Sequence, residues 1–353
     1  MKKILYLMGI DWYWIKQRPQ IIAQMLAGDY DVTVAYYKEL FVKQSLRKDN
    51  DELEKSIAVP AIPYRDKNKL TYIVQKAMFH KVMKHVQEYD MVWIGNPLLY
   101  RYVPKSYRGQ IIYDCMDNYE ALCGDRIIQK EIRRTEPELV RRADVIFASS
   151  NGLVRKMQSF GGKEKVALIR NGFVSDKIYP PSTEKQKEKK TYRIGYFGTV
   201  AEWFDFSLLL KSLENYPDLE YYLWGPVSGI EAPANPRIKL QGVVEHSKLW
   251  ENVRDMDCLI MPFQVNDIIR DVDPVKLYEY ISMGKRIISV QYDEVERFSD
   301  FVNFYKTEEE FLDCLKKVME GSAKPDYSAE EQAEFLRENS WNIRYRELKK
   351  YIE

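Results

Sequence analysis

The sequence has little that could hold a metal or form a covalent intermediate. Its 353 residues include four cysteines (Cys115, Cys123, Cys258, Cys314) with no CxxC spacing, and three histidines. That spread argues against zinc and fits reduced thiols in a cytosolic chain. His80 and His85 fall on one helical stretch, five apart, which suits no shared ligand, and His246 precedes Ser247 at an expected helix start with a structural role. No HExxH, nucleophile elbow, P-loop, EF-hand or GxGxxG is present. No apolar run reaches the roughly 18–20 residues of a membrane span. The opening MKKILYLMGIDWYW has a basic head, but Asp11 breaks its apolar run and no small-residue cleavage site follows. It is expected to be a buried first strand rather than a signal peptide.

What is present is a globular composition, 45% apolar and 30% charged, in a chain long enough for two domains of about 150–180 residues. The net charge of +1 conceals an asymmetry. Residues 1–180 carry 30 Lys/Arg against 21 Asp/Glu, and residues 181–353 carry 24 against 32. A basic half suits an anionic surface or substrate.

Apolar runs alternate with helical stretches along the first half. The runs are KKILYLMG (2–9), DVTVAYY (31–37), MVWIG (91–95), GQIIYD (109–114), ADVIFASS (143–150) and VALIRNG (166–172). PPSTEKQKEKK (180–190) is polar and aperiodic, as a linker is. The alternation then restarts with TYRIGYFGTV (191–200), LEYYLWGP (219–226), RIKLQGVV (237–244), DCLIMPF (257–263) and RIISVQY (286–292). Helices are expected near 205–215, 246–255, 274–283, 307–320 and 328–352. Continuously apolar strands alternating with helices predict an α/β chain of two Rossmann-like halves, each with a parallel sheet covered on both faces. Ligands of such sheets bind outside the carboxyl ends of the strands.

The strand ends therefore carry the chemistry. Gly198, with Thr199 after it, lets a phosphate approach the backbone at a strand–helix junction. In DPVKLYEYISMGKRIISV (273–290), Pro274 is expected in the first helical turn with Asp273 as N-cap. The free N–H groups of that helix, with Lys276 beside Leu277 in its first turn, suit a diphosphate. Glu279, three residues on, can accept hydrogen bonds from the vicinal hydroxyls of a ribose.

Two Rossmann-like halves, an NG turn before the linker, YFGTV and PVKLYEYISMGKRIIS together resemble a GT-B glycosyltransferase of the retaining family-4 type. The resemblance is to enzymes of bacterial surface-polysaccharide synthesis such as the teichuronic acid glycosyltransferases. QRPQ (17–20), YDCMDN (113–118) and ADVIFASSNGL (143–153) are similar to the same group. It implies a GT-B architecture with two domains facing across a cleft. The expected divisions are an acceptor domain over 1–179, a linker at 180–190, a nucleotide-sugar domain over 191–336, and a terminal helix (337–353) crossing back to the first domain. It also implies two acidic residues separated by seven, met here by Asp271, toward the donor sugar, and Glu279, toward the ribose; Asp271 is one methylene shorter than the family's usual Glu. The family's Arg and Lys after the first strand of the second domain are missing from GTVAEWFD, which leaves Lys276, Arg270 and Arg18 as candidates for meeting phosphate charge.

On the acceptor side, Trp12, Tyr13 and Trp14 offer flat faces for sugar rings and Arg18 a charge. Asp114 and Asp117 are candidates for orienting the acceptor hydroxyl or taking its proton. The implied reaction moves a sugar from a nucleoside-diphosphate sugar, UDP as the nucleotide, to a glycan or lipid-linked acceptor, without cofactor or metal. Docking at the anionic inner face of the membrane is expected, and no nucleic acid partner. Two alternatives stay open: a nucleotide-sugar epimerase of the same fold, and a non-catalytic relative that binds sugar nucleotide or a partner enzyme.

Overall fold

The computed structural model describes residues 1–39, 53–174, 177–181, 190–245, 248–323 and 327–353. Most of the expected linker (182–189) and the pair His246–Ser247 lie outside them. The chain divides into two compact units: Met1–Asn171 with Trp341–Glu353, and Gly172–Ser340.

The first unit runs β1 (Lys3–Met8), α1 (Arg18–Ala27), β2 (Asp31–Glu39), β3 (Ser56–Ala61), α2 (Lys69–Met83), β4 (Met91–Ile94), β5 (Gln110–Cys115), α3 (Tyr119–Leu122), α4 (Arg126–Arg142), β6 (Val145–Ala148), α5 (Asn151–Met157) and β7 (Val166–Leu168). The second runs β8 (Tyr192–Phe197), α6 (Phe206–Asn215), β9 (Leu219–Trp224), β10 (Ile238–Gly242), α7 (Leu249–Val253), β11 (Cys258–Met261), α8 (Val275–Ser282), β12 (Arg286–Val290), β13 (Asn303–Tyr305), α9 (Glu308–Met319) and α10 (Ala329–Glu338). The last helix, α11 (Trp341–Lys349), belongs to the first unit.

Among the described residues the first sheet has the order β3-β2-β1-β4-β5-β6-β7 and the second β10-β9-β8-β11-β12-β13. Every neighbouring pair is parallel. The order reverses between β1 and β4 and between β8 and β11, so each unit has its own switch-point crevice at the strand carboxyl ends.

Side-chain alternation explains why the strands are apolar without a break. In β1, Leu5 and Leu7 join a core with Phe79 of α2 and Leu139 of α4, while Ile4, Tyr6 and Met8 join another with Ile22 of α1 and Trp341 of α11. A sheet buried on both faces needs apolar residues at every position.

Two strands escaped the sequence reading. β3 is an edge strand, only partly buried and containing Pro60, so it lacks the apolar run that marks the central strands. β13 is also at an edge and only three residues long. The expected single helix over 328–352 is two. Asn339 turns its amide onto the Phe335 carbonyl, and its own carbonyl accepts the Phe173 N–H at 2.8 Å.

The unit boundaries also differ from those expected. Residues 172–174 and 177–179 pack in the second unit rather than the first: Phe173 joins its core, Tyr179 stacks on Trp250, and the Tyr179 N–H donates to the Ser282 carbonyl. Residues 337–340 stay with it too. Fully buried Gln332 of α10 ties this entry segment down, its amide donating to Tyr179 O at 2.9 Å and Ile281 O at 2.5 Å. Gln332→Leu removes both donors from buried carbonyls, and a loss of about 1–3 kcal/mol is expected in urea unfolding.

Candidate functional site

The second unit's site is built at the carboxyl ends of β8 and β9. Gly198 and Gly225 both have φ of +136°, a region that side chains other than glycine's rarely occupy. The two loops nest: Gly198 N–H donates to Trp224 O at 2.8 Å, Gly225 N–H to Gly242 O at 2.8 Å, and Val200 N–H to Pro226 O at 2.9 Å. A Cβ on Gly225 would overlap the Gly198 carbonyl. A Cβ on Gly198 would overlap Cε of Lys276 and come within 2.7 Å of its Nζ. The Lys276 stem therefore lies directly against Gly198.

Lys276 is in the first turn of α8, where backbone N–H groups lack intrahelical partners. The helix is fixed by Leu277, Tyr278, Tyr280 and Ile281, all fully buried, and by the Tyr280 hydroxyl donating to Ile260 O. Burial pulls the Lys276 pKa down, and the Glu279 carboxylate pushes it back up. Its ammonium has neither an ion pair nor a hydrogen bond among the described residues. Its nearest aromatic face is the Tyr196 ring, at 6.0 Å.

Several expectations for this corner are corrected. Pro274 is the capping residue rather than the first helical one, and Asp273 makes no side-chain cap. Instead Asp273, fully buried at its side chain, pairs with Arg297, which also donates to the Tyr278 hydroxyl at 2.7 Å. Leu277 is a core residue, so only its backbone can face a ligand. Arg270 is exposed and pairs with Asp267 at 3.3 Å. Thr199, Asp271 and Glu279 are half-buried. The Thr199 carbonyl accepts the Tyr196 hydroxyl at 2.8 Å.

In the first unit, Arg18 and Asp114 form a buried pair. Nε of Arg18 donates to both carboxylate oxygens at 2.9 and 3.2 Å, and Nη1 to Ile169 O at 2.7 Å. The guanidinium also lies over the Trp341 ring. With both side chains under 4% exposed, they lock α1, β5, β7 and α11 together. Neither is placed to touch a substrate, which corrects both assignments. Trp12 is likewise a core residue at 1% exposure, not a sugar platform. Tyr13 is half-buried with its ring edge-on to Tyr36, and Trp14 is half-buried.

Asp117 differs from Asp114. It is half-buried, and its carboxylate has no hydrogen bond or ion pair among the described residues. Burial pushes its pKa up to about 7; Arg18 opposes the shift and Asp114 adds to it. Its loop is held on both sides. The Ser149 hydroxyl donates to Met116 O at 2.7 Å, Lys156 Nζ to Asn118 Oδ1 at 2.9 Å, and the Tyr119 hydroxyl to Gly95 O. Lys156 also pairs with buried Glu136, which accepts the Tyr113 hydroxyl at 2.6 Å. Sequence reasoning missed Lys156, Glu136, Ser149 and Arg297. A glutamate among apolar positions of α4 was the one available signal.

No protein-family model matches the chain. In sequence it is similar to "Putative teichuronic acid biosynthesis glycosyltransferase TuaH" of Bacillus subtilis (strain 168), 24% identical over 265 residues that span 69% of this chain and 66% of the relative, just under two thirds of that protein's length. In structure it is similar to the apo form of the lipopolysaccharide outer core galactosyltransferase WaaB, with TM-score 0.65, 14% identity and 99% of each chain covered. Anabaena Alr3699/HepE in complex with UDP-glucose also superposes, with TM-score 0.65 and 14% identity, over 100% of this chain and 99% of that one. The fold is GT-B. The resemblance read from YFGTV and PVKLYEYISMGKRIIS thus meets a glycosyltransferase relative in sequence and GT-B structures along the whole chain.

Within this GT-B chain the two aspartates are separable by experiment. Asp114→Asn leaves the buried Arg18 uncompensated and is expected to cost about 3–5 kcal/mol of stability. Asp117→Asn has the opposite sign. A carboxyl raised from 3.8 to about 7 on folding makes the native state bind more protons than the unfolded one, so stability falls as pH rises between those values. The melting temperature of Asp117→Asn relative to the native chain should therefore climb between pH 4 and pH 8.

Proposed function

We propose that the chain is a glycosyltransferase that moves a sugar from a nucleoside-diphosphate sugar to a hydroxyl of a glycan or lipid-linked acceptor in surface-polysaccharide synthesis. The observation that carries this reading is Lys276: an ammonium pressed against Gly198 at the start of α8, with no ion-pair partner among the described residues. A dianionic diphosphate satisfies such a group, and the helix N–H donors beside it add to the same field. Glu279, one turn on, takes the ribose hydroxyls, and half-buried Asp271 faces the donor sugar. UDP is the nucleotide favoured, because Alr3699/HepE is described with UDP-glucose. The acceptor class follows the names of TuaH, in teichuronic acid synthesis, and WaaB, in the lipopolysaccharide outer core.

In the reaction the bond between the anomeric carbon and the diphosphate oxygen breaks, and its electron pair leaves with the diphosphate. Lys276 and the α8 N–H groups stabilise the charge that develops there. The acceptor oxygen forms the new bond on the same face, so the configuration is retained, and its proton passes to the departing phosphate. Asp117, ionised, accepts a hydrogen bond from that hydroxyl and orients it. In this reading the charge of the leaving group falls to Lys276 and the α8 N–H groups. The four thiols are unpaired, which supports a reducing, cytoplasmic setting.

UDP should raise the melting temperature of the native chain. Lys276→Met is expected to melt higher than the native chain when empty, because a disfavoured ammonium is gone, and to lose most of the UDP shift. An unchanged UDP shift in this variant would remove the basis of the reading. Asp117→Asn should keep the UDP shift yet lose about 100-fold in turnover. In the native chain, kcat/KM should rise with pH to a plateau above about 7 as Asp117 ionises. Product from a UDP-sugar in the absence of acceptor would mark an epimerase instead.

A further inference from the structure

The first sheet ends at β7, and a groove of about 340 Å³ lies between that strand's end and α11. Small-molecule sites run from roughly 300 to 1,000 Å³, so the groove has room for one compact ligand. Both of its walls belong to the first unit. Three cations line it against one carboxylate: Arg170 past the end of β7, Arg344 within α11 and Lys350 just after it, with Glu347. They come from opposite ends of the chain, so the fold and not a basic run in the sequence brings them together.

Arg344 is the centre of this charge. It is only 9% exposed, which sets it apart from a solvated surface cation. Its contacts to Asn171 O, at 3.4 Å, and to the Glu347 carboxylate, at 3.3 and 3.5 Å, are long for a guanidinium. Arg18, comparably buried in the same unit, holds Asp114 at 2.8 Å. A planar fork held this loosely can close on a better-placed anion. Beside the cations lies an apolar surface: Tyr351 is 52% and Leu168 37% exposed. The tyrosine ring is braced edge-on by Phe147, with centroids 6.0 Å apart. The wall between them is already set, because Ile169 N–H donates to Ala148 O at 2.9 Å and its carbonyl accepts Arg18 Nη1 at 2.7 Å.

We propose that this groove binds an acidic sugar, a sugar ring bearing a carboxylate or a phosphate monoester. The ring lies on Tyr351 and Leu168, and the anionic group takes the fork of Arg344 between Arg170 and Lys350. An inorganic anion uses only the charged part of the groove, and a neutral sugar only the apolar part. β7 is two strands from β5, about 10 Å at the usual strand spacing, and in a parallel sheet both end at the same edge. The purpose rests on the transferase reading: an acceptor glycan whose hydroxyl meets Asp117 places a neighbouring acidic residue here. The binding itself does not rest on it.

The test is isothermal titration calorimetry of the full chain with glucose 6-phosphate, glucuronate, inorganic phosphate and glucose. Each is titrated into the native chain and into Lys276→Met, which removes the cation at the start of α8. At least one charged sugar is expected to bind, more tightly than inorganic phosphate, with glucose silent and Lys276→Met without effect. Which charged sugar binds separates a phosphate source from a carboxylate source. Arg170→Glu/Lys350→Glu should weaken the binding about tenfold or more, and Arg344→Lys should weaken it although the charge is kept. Tyr351→Ser should remove the preference over inorganic phosphate. Far-UV circular dichroism and the UDP melting shift of the variants at Arg170, Lys350 and Tyr351 should match the native chain. No binding of either charged sugar, or equal binding of glucose or inorganic phosphate, overturns the proposal. Binding lost in Lys276→Met and kept in Arg170→Glu/Lys350→Glu also overturns it, and assigns the anion to the start of α8. Binding as expected, in a native chain that does not respond to UDP, would leave the groove standing and remove the transferase reading.

Discussion

A half-buried ammonium group without a carboxylate at hydrogen-bond distance among the described residues is a standing cost, and the second unit holds one at the start of α8. Two glycines let the ends of β8 and β9 nest closely enough for the Lys276 stem to lie across Gly198. Buried aromatic and aliphatic residues hold α8, and with it the backbone from which the lysine extends. The carboxylate that acts on its charge is Glu279, three positions on in the same helix. Neutralising a binding cation internally would stabilise the empty protein and weaken its hold on an anion.

The first unit separates the same two duties within four residues. Asp114 stands near the end of β5 and Asp117 follows the strand, and both look like site residues in YDCMDN. Asp114 takes the full complement of Arg18 and becomes a bolt between helices and strands. Asp117 stands past the strand end, where Arg18 can moderate its charge without pairing with it. Its loop is fixed through Ser149, Lys156 and Tyr119, so the carboxylate is positioned by its neighbours rather than by a bond of its own. That leaves its lone pairs for a hydroxyl.

Much of this was legible in the sequence because parallel sheets buried on both faces write long apolar runs, and nine of the strands announced themselves in that way. The edge strands β3, β7, β10 and β13 depart from the pattern: β3 and β13 were missed, and β7 and β10 were read too long, since an edge position relaxes the demand for apolar residues. At the site, the residue types and the strand-end location were readable, whereas the assignment of partners was not. Nothing local in GIDWYWIKQRPQ tells that Trp12 turns into the core or that Arg18 meets Asp114 across 96 positions. Asp273 has every mark of a helix cap, and loses that role to an arginine 24 positions away. Long-range ion pairs are set by the fold, which local spacing does not encode.

The charge asymmetry of the two halves shows the same limit in another form. The cations of residues 1–180 read as a surface property, yet several of them are internal. Arg18 serves Asp114, Arg101 serves Asp66, Lys156 serves Glu136, and Arg142 caps the carbonyls of Pro104 and Tyr107. These groups are screened by their partners and contribute little to a long-range field. Others stay at the surface, among them Lys69, Lys76 and Lys81 of α2, a helix without a carboxylate of its own. Cations held in internal pairs and cations left in solvent look alike in a count along the sequence, and only their partners in the fold tell them apart.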